Sequence, residues 1–408
     1  MKSPGLAALV FVVSLLSSAT AHAWMTNLVD TSEVQGVGET SVTVDSVDKV
    51  HISYCCNDSG TWVLKYGTNA SGSWLTEVVD ADLGDFSTSA FPPTSIASDG
   101  LNKAHIAYAY YDETSDQYTL KYATSRSGVW VTENVDAGVW GSIALDTSDN
   151  VHIAYSSDGL KYATNASGSW VITLLDPDGK GGDVTVDNSD KVHISYEHVT
   201  GIPPNADYDL MYATNVSGDW AIEIVELDGG ILPSIATDGL DNVHIAYLNA
   251  GLEYATNASG SWVTTSVDEY ANPQPGWPSI ALDSSNGVHI IYAFMDPYFH
   301  IDMKYASTVS DVWAIELVAT GALPSISMDS ADKAHISYVG KEGLMHAVNI
   351  DPPSSCAGSV EASTGGTSPM YDASELGKHF VYLFLPLGTI LSLGLWRRRR
   401  QESNPFLG

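Results

Sequence analysis

Apolar and polar residues alternate with a period of two through most of this chain, in short runs cut by polar turns. A representative unit opens with Ser142-Ile-Ala-Leu-Asp146 and turns at Thr147–Asn150. It continues through Val151-His-Ile-Ala-Tyr155, Leu160-Lys-Tyr-Ala-Thr164 and Trp170-Val-Ile-Thr-Leu-Leu-Asp176. β-Branched and aromatic residues at alternate positions suit a pleated, half-buried surface. The intervening Asp, Asn, Ser and Gly close tight reversals, because their side chains bond nearby backbone or tolerate unusual φ. Each unit therefore predicts four short antiparallel strands.

The unit recurs along the chain. The histidine of its second strand falls at His51, His105, His152, His193, His244, His289 and His335, giving seven repeats. The tryptophan opening its fourth strand falls at Trp74, Trp130, Trp170, Trp220, Trp262 and Trp313, one short of seven. The missing strand lies at the other end, where Trp24-Met-Thr-Asn-Leu-Val-Asp30 repeats the spacing of Trp74-Leu-Thr-Glu-Val-Val-Asp80. The predicted fold is all-β: a seven-bladed β-propeller of four-stranded antiparallel blades, the last completed by the N-terminal strand. Such closure removes the open edge a solenoid would keep.

Outside the repeats the composition changes. Residues 1–23 read as a signal peptide, with Lys2, the apolar run Leu6–Leu16 and the small-residue site Ala21-His-Ala23. Residues 24–350 are the propeller and 351–378 a flexible linker rich in Ser, Gly and Pro. Residues 379–400 form a transmembrane or sorting segment: the uncharged run Phe380–Trp396 predicts a single C-terminal transmembrane helix, followed by Arg397-Arg-Arg-Arg400. The basic cluster places the tail, 401–408, on the cytoplasmic side. The layout resembles the C-terminal sorting signals of bacterial exported proteins, in which Cys356 or Gly365-Gly366 would mark processing. The expected location is the cell envelope or surface, with the membrane as one partner.

Formal net charge is −32, and residues 24–350 contain ten Lys and one Arg, Arg126. Nucleic acid is thereby excluded as a partner, since phosphate binding requires clustered cations.

Connections between strands two and three differ from blade to blade: Ser156–Gly159 in blade three, against Ala109–Thr119, Glu197–Asp209 and Ala293–Asp302 in blades two, four and six. They emerge on the same side as the inter-blade connections. Variable loops on a rigid scaffold are where binding usually resides, so a ligand is expected on this face, near the central channel. Candidate ligand-binding residues are Tyr110, Tyr111 and Asp112 of blade two, the inter-blade Trp140 and Trp277, and Asp296, Tyr298 and His300 of blade six. Aromatic rings beside carboxylates stack on and hydrogen-bond to sugars.

No catalytic residue stands out. A histidine repeated once per blade is expected to be structural, as are the repeated Tyr and Trp. Turns such as Asp146-Thr-Ser-Asp149 predict side-chain capping, with calcium as the alternative cofactor and no other implied. The Asn-x-Ser matches at Asn69, Asn165, Asn215 and Asn257 share one turn position, which predicts turn chemistry over glycosylation. Cys55-Cys56 is read as buried thiols, with a vicinal disulfide as the other possibility.

The turn Asn165-Ala-Ser-Gly-Ser-Trp170 resembles a degenerate Asp-box, the hairpin of sialidase-like propellers, one residue short and without the Asp. The Val-His-Ile-Ala-Tyr and Leu-Lys-Tyr-Ala-Thr-Asn units resemble those of exported bacterial propellers, related to sialidase-like repeat proteins and fucose-binding lectins. The resemblance covers about residues 24–350 and implies a propeller fold. Sialidases hold their substrate carboxylate with three arginines, and this body offers one, so the likeness is architectural. The functional expectation is a non-catalytic binding or adhesion module for an extracellular glycan or protein. The alternatives are a carbohydrate-active hydrolase or lyase using Asp112, Glu113, Asp296 or Asp302, or a purely structural envelope protein.

Overall fold

The computed structural model describes residues 22–31, 37–84, 86, 92–201, 206–269, 278–295, 300–309 and 312–350. The chain opens with β1 (Ala23–Asp30). Blade one follows as β2 (Val37–Val44), β3 (Val50–Asp58), β4 (Thr61–Thr68) and β5 (Leu75–Asp80), and blade two as β6 (Thr94–Ser98), β7 (Ala104–Asp112), β8 (Gln117–Thr124) and β9 (Val131–Ala137). Blade three is β10 (Val139–Leu145) to β13 (Val171–Asp176), and blade four runs from β14 (Gly179–Val186) through β15 (Val192–Thr200) and β16 (Asp207–Thr214) to β17 (Ala221–Glu226). Blade five spans β18 (Ile231–Thr237) to β21 (Val263–Asp268), and blade six β22 (Ser279–Leu282), β23 (Val288–Met295), β24 (Ile301–Val309) and β25 (Val312–Thr320). Blade seven contributes β26 (Ala322–Met328), β27 (Ala334–Gly340) and β28 (Gly343–Ile350), and β1 adds to β28 as its fourth strand, Trp24 opposite Asn349. The first strand of each blade lines the axis, β2 packing between β6 and β26, so the ring closes.

A repeated side-chain network holds each blade. The first Asp of each strand-one turn accepts two amides of its own turn through one oxygen, as Asp99 does from Leu101 and Lys103. Its other oxygen faces the repeat histidine, with separations of 2.9–3.4 Å across the ring. On its far side that histidine bonds the third-strand Tyr hydroxyl, for example His152 to Tyr162 at 2.6 Å. In blade seven His346 replaces the tyrosine and meets His335 at 3.0 Å. All seven repeat histidines sit in this position.

Two further sets of contacts join blade to blade. The repeat Trp lies edge-on against the preceding blade's third-strand Tyr, as Trp220 against Tyr162 at 5.0 Å between centroids. The second-strand Tyr hydroxyl donates to the preceding blade's fourth-strand acid, as Tyr108 to Asp80 at 2.8 Å. On the short-turn face, the left-handed Asx residue of each turn accepts an amide from the previous blade's turn. The pairs are Ser46–Asn102, Gly100–Asp149, Thr147–Asp190, Asn188–Asp241, Gly239–Asn286, Ser284–Asp332 and Ser330–Asp48, which close a circle.

The turn chemistry is equally local. Asn69, Asn165, Asn215 and Asn257 each accept the first amide of their blade's second strand, at 2.8–2.9 Å. Cys55 and Cys56 are both buried, as thiols rather than as a disulfide.

Two expectations need correction or fall elsewhere. The stretches Ala109–Thr119, Glu197–Asp209 and Ala293–Asp302 are not simple loops: β7, β8, β15, β16, β23 and β24 extend into them as paired strands. Tyr110 pairs with Thr119 and Tyr111 with Tyr118, because the apolar alternation continues past the usual strand end. The linker, transmembrane and tail readings, on residues 351–408, lie outside the described residues, as does the signal-peptide reading of residues 1–23 apart from His22 and Ala23. Among the described residues no helix is long and apolar enough to cross a membrane.

Candidate functional site

The axial strands build a second circle. A serine near the middle of each first strand accepts the amide of the next blade: Ser41 from Ile96, Ser95 from Ile143, Ser142 from Val184, Ser234 from Ile280, Ser279 from Ile326 and Ser325 from Val42, at 3.2–3.3 Å. Blade four breaks the pattern. Its position is Asp183, whose carboxylate accepts Ile235 N–H at 2.9 Å, Val184 N–H at 3.0 Å and the Ser142 hydroxyl at 2.5 Å. Burial pushes the Asp183 carboxyl up, against those hydrogen bonds.

Just ahead of this circle the inner strands bulge. Register shifts fall between Val139 and Ser142, Lys180 and Asp183, Ile231 and Ser234, and Ala322 and Ser325. Trp140, Gly181, Leu232 and Leu323 carry the extra turn, with φ of 55°, 58°, 53° and 54°. An L-residue in this region costs about 1–2 kcal/mol, and three of the four are bulky. Bulges of this kind re-aim side chains and are frequent beside functional sites. Here three of the four bulge residues, Trp140, Gly181 and Leu232, line the axial cavity.

A bulge also leaves amides without a ladder partner. Ser156 of blade three accepts Gly181 N–H at 2.8 Å. The equivalent residue of blade four is Glu197, whose Oε1 accepts Leu232 N–H at 2.7 Å. Only 4% of Glu197 is exposed, and its second oxygen has no hydrogen-bond partner among the described residues. Burial pushes its carboxyl up to about 7, with Lys180, directly opposite on β14, opposing the shift. Gly181 lies beside it: a Cβ there would make ordinary van der Waals contact, 3.6 Å from Glu197 Oε1.

These residues line one cavity on the axis, of about 230 Å3. Glu39 and Trp140 contribute from blades one and three; Lys180, Asp183, Glu197 and Tyr208 all come from blade four. The surface that Glu39 retains faces this cavity, and protein packed around it pushes its carboxyl up to about 8. Glu39 has no hydrogen bond or ion pair among the described residues. Tyr208 is raised by burial and by Glu197. First strands run from the variable face toward the short turns, and the lining residues occupy their leading ends. The cavity therefore opens toward the face with the longer connections.

The sequence-derived candidates divide. Trp140 lines the cavity. Tyr110 and Tyr111 lie on the β7–β8 hairpin instead, where Tyr111 packs against Tyr118 and Phe86 and donates to Asp116 at 2.8 Å. Asp112 caps its own turn through Thr114 N–H and the Ser115 hydroxyl. Asp302 accepts from Thr320 at 2.8 Å, and His300 is exposed at the start of β24. Trp277, Asp296 and Tyr298 lie outside the described residues. Glu39, Asp183 and Glu197 escaped sequence reading because they occupy ordinary strand positions. Their signal was departure from the repeat: Asp183 where six blades have Ser, and Glu197 where the others have Cys55, Ala109, Ser156, Leu248, Ala293 and Val339. In the calcium-candidate turns both oxygens of the first Asp are already engaged: Asp187 accepts two turn amides and faces His193, and Asp146 accepts two turn amides and the Asn150 side chain.

Fold and cavity together define a seven-bladed β-propeller with an acid-lined axial pocket. No protein-family model matches the sequence, and no curated protein matches it. Among solved structures it is similar to a PL25 polysaccharide lyase, an ulvan lyase bound to -[GlcA(1-4)Rha3S]-. The TM-score is 0.55 at 11% identity, over 78% of this chain and 94% of that one. Polysaccharide lyase Uly1 gives 0.51 at 10% identity, over 77% and 90%. AofleA from Arthrobotrys oligospora gives 0.49 at 12% identity, over 75% and 93%. At such identities the likeness is one of fold.

Proposed function

We propose that this chain is an exported, envelope-tethered propeller that binds a carbohydrate in its axial pocket and performs no chemistry on it. The carrying observation is the pocket itself, where the repeat gives way to Trp140, Tyr208, Glu39, Asp183 and Glu197. An aromatic face beside hydroxyl-accepting oxygens is the surface a pyranose ring requires. At about 230 Å3 the cavity is smaller than the roughly 300–1,000 Å3 of drug-sized sites, which fits one sugar ring rather than an enclosed chain. Structural neighbours that act on polysaccharides lend support at the level of fold alone. Export and tethering rest on the signal-peptide and transmembrane readings of residues 1–23 and 379–400. A glycan array probed with the purified chain, followed by the Trp140→Ala variant on any positive spot, tests the reading. Binding that survives unchanged in the variant removes the pocket from consideration.

A second reading, a carbohydrate-active hydrolase or lyase, draws on one observation. Carboxyls pushed to about 7 and about 8 at Glu197 and Glu39 are suited to give or take a proton near neutral pH. Release of reducing ends or unsaturated products from polysaccharides, abolished in Glu197→Gln, would establish it.

A further inference from the structure

Among the described lining residues acids outnumber cations, with Glu39, Asp183 and Glu197 against Lys180. They are not equally engaged. Asp183 is consumed by the axial circle, with three hydrogen bonds to protein. Glu197 spends one oxygen on the blade-five bulge and leaves the other toward the cavity. Glu39 spends none: it is a half-buried carboxyl lining the cavity, with no hydrogen bond or ion pair among the described residues. Every other blade described places a group without charge at the equivalent of Glu39, namely Pro93, Trp140, Gly181, Leu232 and Leu323. A carboxyl taken partly out of water with no partner among the described residues is costly in the empty protein. A neutral sugar hydroxyl would relieve that cost in part, and an ammonium would relieve it fully, through a charge-assisted hydrogen bond in a water-poor site.

We propose that the sugar taken by the axial pocket carries a free primary amine, whose ammonium seats on Glu39 while Glu197 supplies a second negative wall and Trp140 the ring face. This inference rests on the carbohydrate reading and narrows it to amino sugars. Groups facing the ligand are Glu39 from β2, Trp140 from β10, Lys180 and Asp183 from β14, Glu197 from β15 and Tyr208 from β16. Lys180 pairs across the strands with Glu197, so its charge is directed at that carboxylate rather than at Glu39. Burial holds the Glu39 proton to about pH 8, so seating an ammonium at neutral pH expels it.

The test uses the full chain, in a detergent without a sugar headgroup. Glucosamine, galactosamine and mannosamine are titrated by calorimetry against their N-acetylated forms and the parent neutral sugars. At least one free amine is expected to bind about tenfold tighter than its N-acetylated partner. Repeating that titration at pH 7 in two buffers of different ionisation heat should show proton release. Glu39→Gln, checked for an unchanged melting temperature, should lose the preference and the proton release while keeping weak binding of the neutral sugar. Equal affinity for amine, N-acetyl and neutral forms overturns the amino-sugar assignment and leaves the carbohydrate pocket standing. No binding to any of these sugars, from folded protein, overturns both. Proton release is read on the unaltered chain, so the inference stays open to refutation even if the variant misfolds.

Discussion

Trp24 lies edge-on against Tyr305, 5.1 Å between ring centroids, and its indole N–H donates to Glu316 at 3.0 Å. The two residues stand at opposite ends of the propeller sequence, and their contact locks blade seven onto blade six. Trp262 makes the same pair of contacts with Tyr212 and Glu223 inside the chain. At Trp262 the backbone continues from blade to blade, whereas β1 is joined to blade seven by hydrogen bonds and packing alone.

Replacing Trp24 by Ala should therefore cost more than replacing Trp262. Loss of either aromatic is expected to destabilise by about 2–3 kcal/mol. Only Trp24→Ala should also free β1 to detach, seen as rapid hydrogen exchange in β1 and β28. Equal exchange in the two variants would contradict a non-covalent seam at this blade.

The short-turn circle makes a separate prediction at Asp332. Its φ is 60°, and its carboxylate accepts both the amide and the hydroxyl of Ser284 at 2.8 Å. Asp332→Ala loses the bonds and keeps the strained backbone, for about 2 kcal/mol in all. Asp332→Gly relieves the backbone but not the bonds, and Asp332→Asn keeps most of both. The expected order of urea midpoints is Asn, then Gly, then Ala. A Gly variant less stable than Ala would contradict the backbone argument.

Stability should have limbs on both sides of neutrality. Burial holds His105, His152, His244, His289 and His335 below the ordinary histidine range, and His346 falls to about 3. A depressed histidine contributes stability that is full above about pH 6.5 and lost as pH falls. Glu197 and Glu39 are raised, so their contribution is full in acid and lost as pH rises through about 7 and about 8. Each unmatched proton changes stability by about 1.4 kcal/mol per pH unit. Six histidines outweigh two glutamates in acid, and above pH 7 only the glutamates act, so the maximum should lie near neutrality. Urea midpoints across this range, repeated with Glu39→Gln and Glu197→Gln combined, check the assignment. The double variant should keep the acid limb and lose the alkaline one.

Ligand binding should map to the axis and not to the blade-two hairpin. Trp140→Ala is expected to weaken sugar binding at least about tenfold, while Tyr111→Ala, which removes packing against Tyr118 and Phe86 and the hydrogen bond to Asp116, leaves it unchanged. The opposite pattern, measured by calorimetry, would move the site to the hairpin.

Strands, turns and blade count were legible in the residues because each depends on neighbours close in sequence. Alternation sets the strands, Asp and Asn set the turns, and the spacing from Trp24 to Asp30 sets the closure. Trp140 drew notice for the same reason, as a bulky aromatic at a blade junction, and it lines the axial cavity. The hairpin at Tyr110 and Tyr111 was misplaced because strand extension depends on whether the partner segment keeps pairing, which Thr119 and Tyr118 do.

Local pattern thus dictates a ring of seven similar blades and the place of its seam. What the ring encloses follows from how the blades pack. Glu39 and Glu197 are far apart in the chain, and nothing local tells either that it faces a cavity. Their setting follows from the inner strands converging on one axis, from bulges at Trp140, Gly181 and Leu232 that turn residues inward, and from burial that no single strand can impose.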